Sequence, residues 1–470
     1  VVPCTLLGID ASNVTYGHRF MAPRGFKVTS PAAYLNTLRR RGRVLADPVE
    51  RREMIRAGST ELGERNGGKT IIADDLLGEV TALVEWPVPL IGRFDEGFLE
   101  LPEEVLIATL QDHQRYFPVR DADGALLPCF VTVSNIESKE PEKVIAGNER
   151  VVRPRLADAA FFWKTDRQQT LASRNEALRR VTYQSKLGTL HDKAERVGGL
   201  AVGLAPVIGG DAQLAGRAAV LAKCDLLTQM VGEFPELQGI MGYYYAVHDS
   251  EPQEVAVALR EQYLPRFAGD ELPATPTGMA LAIADRIDTI AAIYATGQKP
   301  SGTKDPFGLR RAALGLLRVA IERAVDLDLT RLINQALAAL PFAAPPDTAE
   351  AVYDYIMERL RSYYLDGDAG FEVTPEMFDA VLATRPASPL DFHDRLLALA
   401  DFLQLPDAQS LTAANKRIAN ILRKSTEPVG SQIDADLLRD PVEQVLGEQV
   451  EAMLERTKPM FEKREYKRAL

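Results

Sequence analysis

The chain has 470 residues with ordinary hydrophobic (46%) and charged (26%) fractions, which favours a globular protein of two to four domains. It has no run of about 18 apolar residues, which predicts no membrane span, and its net charge of -11 argues against nonspecific polyanion binding by the whole surface. Its cysteines, Cys4, Cys129 and Cys224, form no CxxC pattern, so we expect reduced thiols, a cytoplasmic location and no zinc site.

The positive charge is unevenly distributed along the chain. Residues 1–60 carry ten Lys/Arg against four Asp/Glu, and residues 411–425 carry four Lys/Arg and no acid. If the protein meets nucleic acid, we expect it to do so through local patches. The chain starts without Met and ends in a helix-like run, so we expect a fragment lacking both termini.

Residues 1–165 mix strand, turn and helix patterns, which predicts an α+β domain. Pro87 and Pro89 interrupt a β-branched run and are typical of a strand at a sheet edge. A hairpin is predicted from Tyr116–Arg120, a turn over 121–124, and Pro128–Ser134. From about Leu156, helical periodicity replaces the strand patterns up to the end of the chain.

Two predicted helices between residues 187 and 242 carry polar residues on their apolar stripes. His191 flanks the first stripe, and Asp225 takes the next position on the second. A third carboxylate, Asp285, lies inside the apolar run MALAIADRIDTIAAI. Buried carboxylates are costly unless they are paired, hydrogen-bonded or bound to metal. The order of these residues resembles the HD phosphohydrolase fold, which implies a divalent-metal site.

The doublet that is His-Asp in that family is Cys224-Asp225 here, and Lys223 adds a cation beside it. One imidazole, two carboxylates and a neutral thiol match a hard metal poorly. We therefore predict an HD-like fold whose degenerate positions His191, Cys224, Asp225 and Asp285 hold no metal. The alternative is a metal-dependent phosphohydrolase acting through His191, Asp225 and Asp285.

The segment Gly297–Lys304 is close to a phosphate loop, but its Lys and Thr are in the wrong order and it follows a helix. We interpret it as a loop that leads into the helix PFGLRRAALGLLR, with Pro306 at the first helical position and Asp305 as its cap. Proline-rich breaks at 341–346 and 386–389 divide the helical region that follows.

The run LTAANKRIANILRKS predicts an amphipathic helix. Its apolar face consists of Leu411, Ala414, Ile418, Ile421 and Leu422. The basic face consists of Lys416, Asn420, Arg423 and Lys424, with Arg417 at its edge. Such a face suits phosphate contacts, although a solvated helix face explains the pattern equally well.

The whole chain resembles the β subunit of bacterial heterotetrameric glycyl-tRNA synthetase. The matching phrases include LPEEVLIATLQDHQRYFPV, GNERVVRPRLADAAFFW, LAKCDLLTQMVGEFPELQGIMGYYYAVHDSE and NKRIANILRKS. The resemblance implies a B3/B4-like α+β domain (1–165), an all-α HD-like domain (166–325) and an all-α anticodon-binding-type domain (326–470), the last incomplete.

The resemblance also implies a function and partners. The chain would be the tRNA-binding subunit of an α2β2 glycine–tRNA ligase, with tRNA-Gly and the α subunit as partners. ATP and Mg would be used through the α subunit, and this chain would bind no cofactor and carry no catalytic residue. The tRNA-binding residues implied are Lys416, Arg417, Asn420, Arg423 and Lys424. A scaffold that docks the α subunit without touching RNA is a further alternative.

Overall fold

The computed structural model describes residue 2 and residues 4–366, 370–424 and 437–469, apart from the side chain of Gln409. The chain forms two compact units. The first consists of Val1–Thr170 and Leu226–Tyr244, and the second of Leu171–Asp225 and Tyr245–Leu470. The three-domain division of the sequence at 165 and 325 stays a prediction.

The first unit combines short strands with helices. In chain order its elements are β1 (Thr5–Leu6), β2 (Ile9–Asp10), β3 (Val14–Thr15), β4 (Phe26–Lys27), α1 (Tyr34–Thr37), α2 (Pro48–Arg65), β5 (Lys69–Thr70), α3 (Asp74–Leu83), β6 (Val88–Arg93), α4 (Glu103–Ala108), β7 (Phe117–Arg120), β8 (Leu126–Ser134) and α5 (Pro141–Asp166).

A four-stranded antiparallel sheet in the order β5-β7-β8-β6 forms the centre of this unit. The predicted hairpin is confirmed, with Phe117 opposite Val131. The prediction from the two prolines is also confirmed, because β6 lies at the sheet edge and Pro89 pairs with Val133. Alternate residues of the strands face α2 and α3 and form a core of Ile55, Leu76, Leu77, Val80, Val84, Phe117, Val119, Cys129 and Val131.

The remaining elements are mostly helices. They are β9 (Thr182–Gln184), β10 (Gly188–Thr189), α6 (Leu190–Ile208), α7 (Ala212–Leu221), α8 (Gln229–Glu233), α9 (Ile240–His248), α10 (Gln253–Glu261), α11 (Pro276–Ala295), α12 (Leu309–Glu322), α13 (Leu329–Ala338), α14 (Thr348–Leu365), α15 (Pro375–Leu382), α16 (Pro389–Leu403), α17 (Ala408–Lys424), α18 (Pro441–Glu462) and α19 (Tyr466–Ala469).

Two sequence expectations need correction in this region. Strands do not stop at Leu156, because β9 and β10 form a small antiparallel hairpin in front of α6. Helix α12 begins at Leu309 rather than Pro306. Gly308 takes the N-cap position predicted for Asp305, although the Asp305 carboxylate accepts from the backbone N–H of Leu309 and Arg310, both at 2.9 Å. Gly297–Lys304 is a loop, as predicted.

Helix α11 is the central element of the second unit. It packs against α6, α7, α10, α12, α13 and α14 and is buried over nearly its whole length. A helix that is apolar around its circumference needs such surroundings. Among the described residues, no helix has the length and apolar character required to cross a membrane.

We expect Gly63→Ala to destabilise the first unit. A Cβ at position 63 would lie 2.8 Å from the backbone nitrogen of Thr70, so α2 and β5 would have to separate. Overpacking of this kind costs about 1–3 kcal/mol. Gly147→Ala on α5 is the matched control, because its Cβ meets nothing within 4 Å. It should leave the free energy of unfolding unchanged or raise it by about 0.5–1 kcal/mol. Urea unfolding curves compare the two, and equal effects would contradict the packing argument.

Candidate functional site

Helix α6 begins with a capping box that fixes its first turn. The Thr189 side chain accepts from the backbone N–H of Asp192, and the Asp192 carboxylate accepts from the backbone N–H of Thr189 at 2.7 Å. This reciprocal cap satisfies donors that the helix itself leaves unpaired. It places His191, Lys193 and Arg196 in buried positions near the start of the helix.

Two basic residues of α6 face two acidic residues of α11. Lys193 Nζ lies 3.2 Å from Asp285 Oδ1 and 3.0 Å from Asp288 Oδ2. Arg196 holds Asp288 through Nε at 2.7 Å and Nη2 at 3.3 Å. The two basic residues are three positions apart on α6, and the two acidic residues are three positions apart on α11. Each set therefore shares one face of its helix. We call Lys193, Arg196, Lys223, Asp285 and Asp288 the buried ionic cluster.

Lys223 completes the cluster from the segment that follows α7. Its Nζ lies 3.3 Å from Asp285 Oδ1 and donates to Gln262 Oε1 at 2.9 Å. The ammonium group also lies 4.5 Å from the centre of the Tyr263 ring, within cation–π distance. The Asp285 carboxylate therefore forms ion pairs with two lysines at once.

The pKa values of the cluster follow from its burial and its charges. Burial alone would lower the pKa of Lys193, but the carboxylates of Asp285 and Asp288 outweigh it and raise the pKa. Burial would likewise raise the pKa of Asp285, but the two ammonium groups hold it well below its usual range. The pKa of Lys223 is lowered, because burial and repulsion from Lys193 exceed the attraction of Asp285.

Of the HD-type positions, His191, Cys224 and Asp225 are buried as predicted and Asp285 is half-buried, but they do not form one ligand set. His191 is 6% exposed and Asp225 1% exposed. Throughout the described part of the chain, the only three His, Cys, Asp or Glu side chains with ligand atoms within 4.8 Å of one another are His191, Asp192 and Glu195. In that group, the Asp192 carboxylate is already used by the helix cap. The sequence prediction for Asp285 did not include its ion pairs with Lys193 and Lys223.

The residues present do not fit the divalent metal that the HD resemblance implies. The Asp285 carboxylate already has two ammonium groups as counter-ions. Burial, reinforced by the Asp225 carboxylate, raises the pKa of the Cys224 thiol to about 12. The Cys224 Sγ–H donates to the Val220 carbonyl at 3.3 Å. A metal-binding cysteine is a thiolate, so a metal at position 224 would have to displace a firmly held proton, which weakens binding there.

Sequence reasoning missed Lys193, Arg196 and Asp288 as members of this cluster. A signal for them existed, because charged residues lie within two strongly apolar helices. Arg286 gave the same signal but has a different environment. Its guanidinium donates to the carbonyls of residues 262, 263, 265 and 282, and burial lowers its pKa to about 10.

Helix α17 carries the residues predicted to bind tRNA, and all five are exposed: Lys416, Arg417, Asn420, Arg423 and Lys424. Lys416, Asn420, Arg423 and Lys424 lie on the side of the helix away from Leu411, Ile418 and Ile421, and Arg417 lies at the edge between the two faces. The predicted apolar face is also exposed within the described structure, with Ile421 61% exposed. The two faces together make α17 an amphipathic helix with both sides accessible.

Comparisons with known proteins all match the chain to one family. The family model described as glycyl-tRNA synthetase beta subunit matches residues 1–383. A glycine–tRNA ligase beta subunit of Pseudomonas aeruginosa is 51% identical over 471 residues, covering this whole chain and 68% of that protein. The corresponding proteins of Marinobacter nauticus and Pseudomonas putida are 50% and 49% identical, with the same coverage.

These matches define a subunit of an aminoacyl-tRNA synthetase. Similarity of this extent leaves no ambiguity about the family. The chain belongs to the glycyl-tRNA synthetase beta subunit family.

We expect Asp285→Asn to destabilise the second unit by about 3–5 kcal/mol at neutral pH, because it leaves two buried ammonium groups short of a counter-ion. Since the folded-state pKa of Asp285 is depressed, its contribution is complete above the unfolded carboxyl pKa of about 4. The contribution is lost as the pH falls through the lower, folded pKa.

Urea unfolding of the wild type and of this variant between pH 3 and 7 measures the difference. Glu195→Gln is the control, because the Glu195 side chain is 64% exposed and should change stability by less than about 0.5 kcal/mol. A gap between wild type and Asp285→Asn that stays constant with pH would rule out the linkage.

The thiols should differ sharply in reactivity. Cys4 is exposed, whereas Cys129 and Cys224 are buried and have raised pKa values. Because the thiolate is the reactive form, we expect one fast thiol with a disulfide reagent at pH 8, and three after unfolding. Cys4→Ser should abolish the fast phase. A second fast thiol that disappears in Cys224→Ser would show that position 224 is accessible and ionised.

Proposed function

We propose that the chain is the tRNA-binding beta subunit of a glycine–tRNA ligase. Glycine, ATP and Mg would be used at the active site of a separate α subunit, and the subunits would assemble as α2β2. Membership of the glycyl-tRNA synthetase beta subunit family is the observation that carries the proposal. The relatives are named as beta subunits of glycine–tRNA ligase.

The basic face of α17 supports the assignment of RNA binding to particular residues. Lys416, Arg417, Arg423 and Lys424 place four positive charges along one exposed helix. Phosphate binding by such side chains releases condensed counterions, which makes affinity strongly salt-dependent. A protein with a net charge of -11 needs a local concentration of basic groups to bind a polyanion.

The alternative of a metal-dependent phosphohydrolase has no support in the geometry. It requires His191, Asp225 and Asp285 to hold one ion, whereas Asp285 is paired with Lys193 and Lys223. The alternative of a scaffold without RNA contacts makes a different prediction for α17, and binding measurements separate it from the proposal.

We expect the triple variant Lys416→Ala, Arg423→Ala, Lys424→Ala to bind tRNA-Gly more weakly. Loss of three phosphate contacts, at roughly 0.7–0.9 each, should reduce the slope of log affinity against log salt by roughly 2.1 to 2.7. The affinity deficit should therefore shrink roughly 20- to 40-fold between about 50 and about 200 mM salt. Fluorescence anisotropy with labelled tRNA-Gly, with the α subunit present, gives both quantities.

The matched control removes the same charge elsewhere: Lys186→Ala, Arg331→Ala, Lys458→Ala, all exposed positions off α17. It should keep nearly the wild-type salt slope. Equal tRNA affinity of the wild type and the α17 variant at low salt would favour the scaffold alternative. Aminoacylation with saturating tRNA should recover in the α17 variant, because the active site on the α subunit is unchanged.

A further inference from the structure

A basic pocket lies in the helical unit, on elements separate from α17. It has a volume of about 440 Å³, within the range of roughly 300–1,000 Å³ typical of ligand sites. Three segments line it: the loop after α10, the first turns of α12 and the last turns of α14. The lining includes four arginines and an aromatic residue: Arg266, Arg310, Arg311, Arg359 and Phe267.

The charge of the pocket is positive. Four arginines line it, against one acidic residue, Asp366. Arg266 is already paired with Asp270, with Nε 2.9 Å from Oδ2. Arg310 donates to the Gly302 carbonyl. The pocket therefore contains two arginines with fixed partners and two others, Arg311 and Arg359, that add charge.

Arg359 has unused capacity to donate hydrogen bonds. Its Nε is buried and has no hydrogen-bond partner among the described residues. The guanidinium lies 5.6 Å from the centre of the Tyr355 ring, one turn earlier on α14, within cation–π distance. A buried guanidinium donor without an acceptor costs free energy, and an oxyanion in the pocket would satisfy it.

The backbone at the start of α12 does not provide the anion site. The Asp305 carboxylate already accepts from the N–H groups of Leu309 and Arg310. Binding of a further anion thus depends on side chains, and arginine presents a planar fork that matches phosphate oxygens. Arg311 is exposed on this turn, with its Nη2 folded beside Gly308.

Phe267 adds a flat apolar surface at the same site. It is 61% exposed, and the Arg266 guanidinium lies 5.7 Å from the centre of its ring. An exposed aromatic ring among arginines is the combination that binds single-stranded nucleic acid, with bases stacking on the ring and phosphates on the cations. A carboxylate ligand would make no use of this ring.

We propose that this pocket binds one unpaired nucleotide of an RNA strand, with its phosphate on Arg311 and Arg359 and its base stacked on Phe267. The inference rests on the proposed function in one respect, since the RNA is taken to be tRNA. It adds a second contact that is independent of α17. Free nucleotides present the same phosphate and base, so the test must separate the two sources.

The test measures binding of labelled tRNA-Gly by the chain assembled with its α subunit, at several salt concentrations. Phe267→Ala should weaken binding roughly 5- to 100-fold at every salt concentration, because stacking is uncharged. Arg311→Ala should weaken binding most at low salt and reduce the salt slope by roughly 0.7–0.9. Phe267→Trp keeps a ring and should bind like the wild type. Arg331→Ala, an exposed arginine outside the pocket, is the charge control.

The pattern of losses separates failure of this inference from failure of the proposed function. Wild-type affinity in both pocket variants, with weakened binding in the α17 variant, would overturn the pocket and leave the proposed function standing. No binding of tRNA-Gly by the wild type at low salt would overturn both. AMP is the second probe. Saturable AMP binding that Phe267→Ala abolishes, with unchanged tRNA affinity, would assign the pocket to a free nucleotide and overturn the RNA contact.

Discussion

The ion pairs between α6 and α11 determine how the helical unit is assembled. Lys193 bridges Asp285 and Asp288, and Arg196 holds Asp288 from one turn further along α6. Because both pairs are spaced by three residues, a shift of either helix by one turn would leave at most one basic residue opposite a carboxylate and at least one buried charge without its partner. Burial of these charges costs several kcal/mol per ion, so the pairs offset that cost only in the observed register. Apolar packing alone tolerates sliding between helices, whereas this cluster does not.

The same cluster occupies one of the positions, Asp285, at which the sequence pattern suggested a metal ligand. A divalent ion neutralises several carboxylates, but it can exchange with solvent. Here Lys193 and Lys223 supply the positive charge at Asp285 from the chain itself. The neutral Cys224 thiol removes a further ligand. The charges that hold α6 and α11 together are therefore all supplied by side chains of the chain.

Local patterns in the sequence were sufficient to predict several local features of the structure. The turn residues between β7 and β8 predicted the hairpin, and two prolines predicted the edge position of β6. Helical periodicity predicted that Asp225 is buried. Pairings across long distances were not predictable, because the partners of Asp285 lie 62 and 92 residues away along the chain. The pocket that includes Phe267 was not predictable either, because three segments far apart in the sequence line it. The exposed apolar side of α17 shows the converse limit, since amphipathic spacing identifies a face without showing what covers it.

An acidic protein that binds a polyanion must manage its own long-range repulsion. At physiological ionic strength, charges more than about 8 Å apart in solvent are largely screened, so an RNA strand responds mainly to the groups nearest to it. The chain places basic side chains along α17 and around the pocket of Arg311 and Arg359, where an RNA strand bound as proposed would lie within that distance of them. Acidic surface elsewhere then disfavours RNA in other orientations while it weakens the productive one little. A net charge of -11 is therefore compatible with tRNA binding, and it favours a defined orientation over nonspecific adhesion.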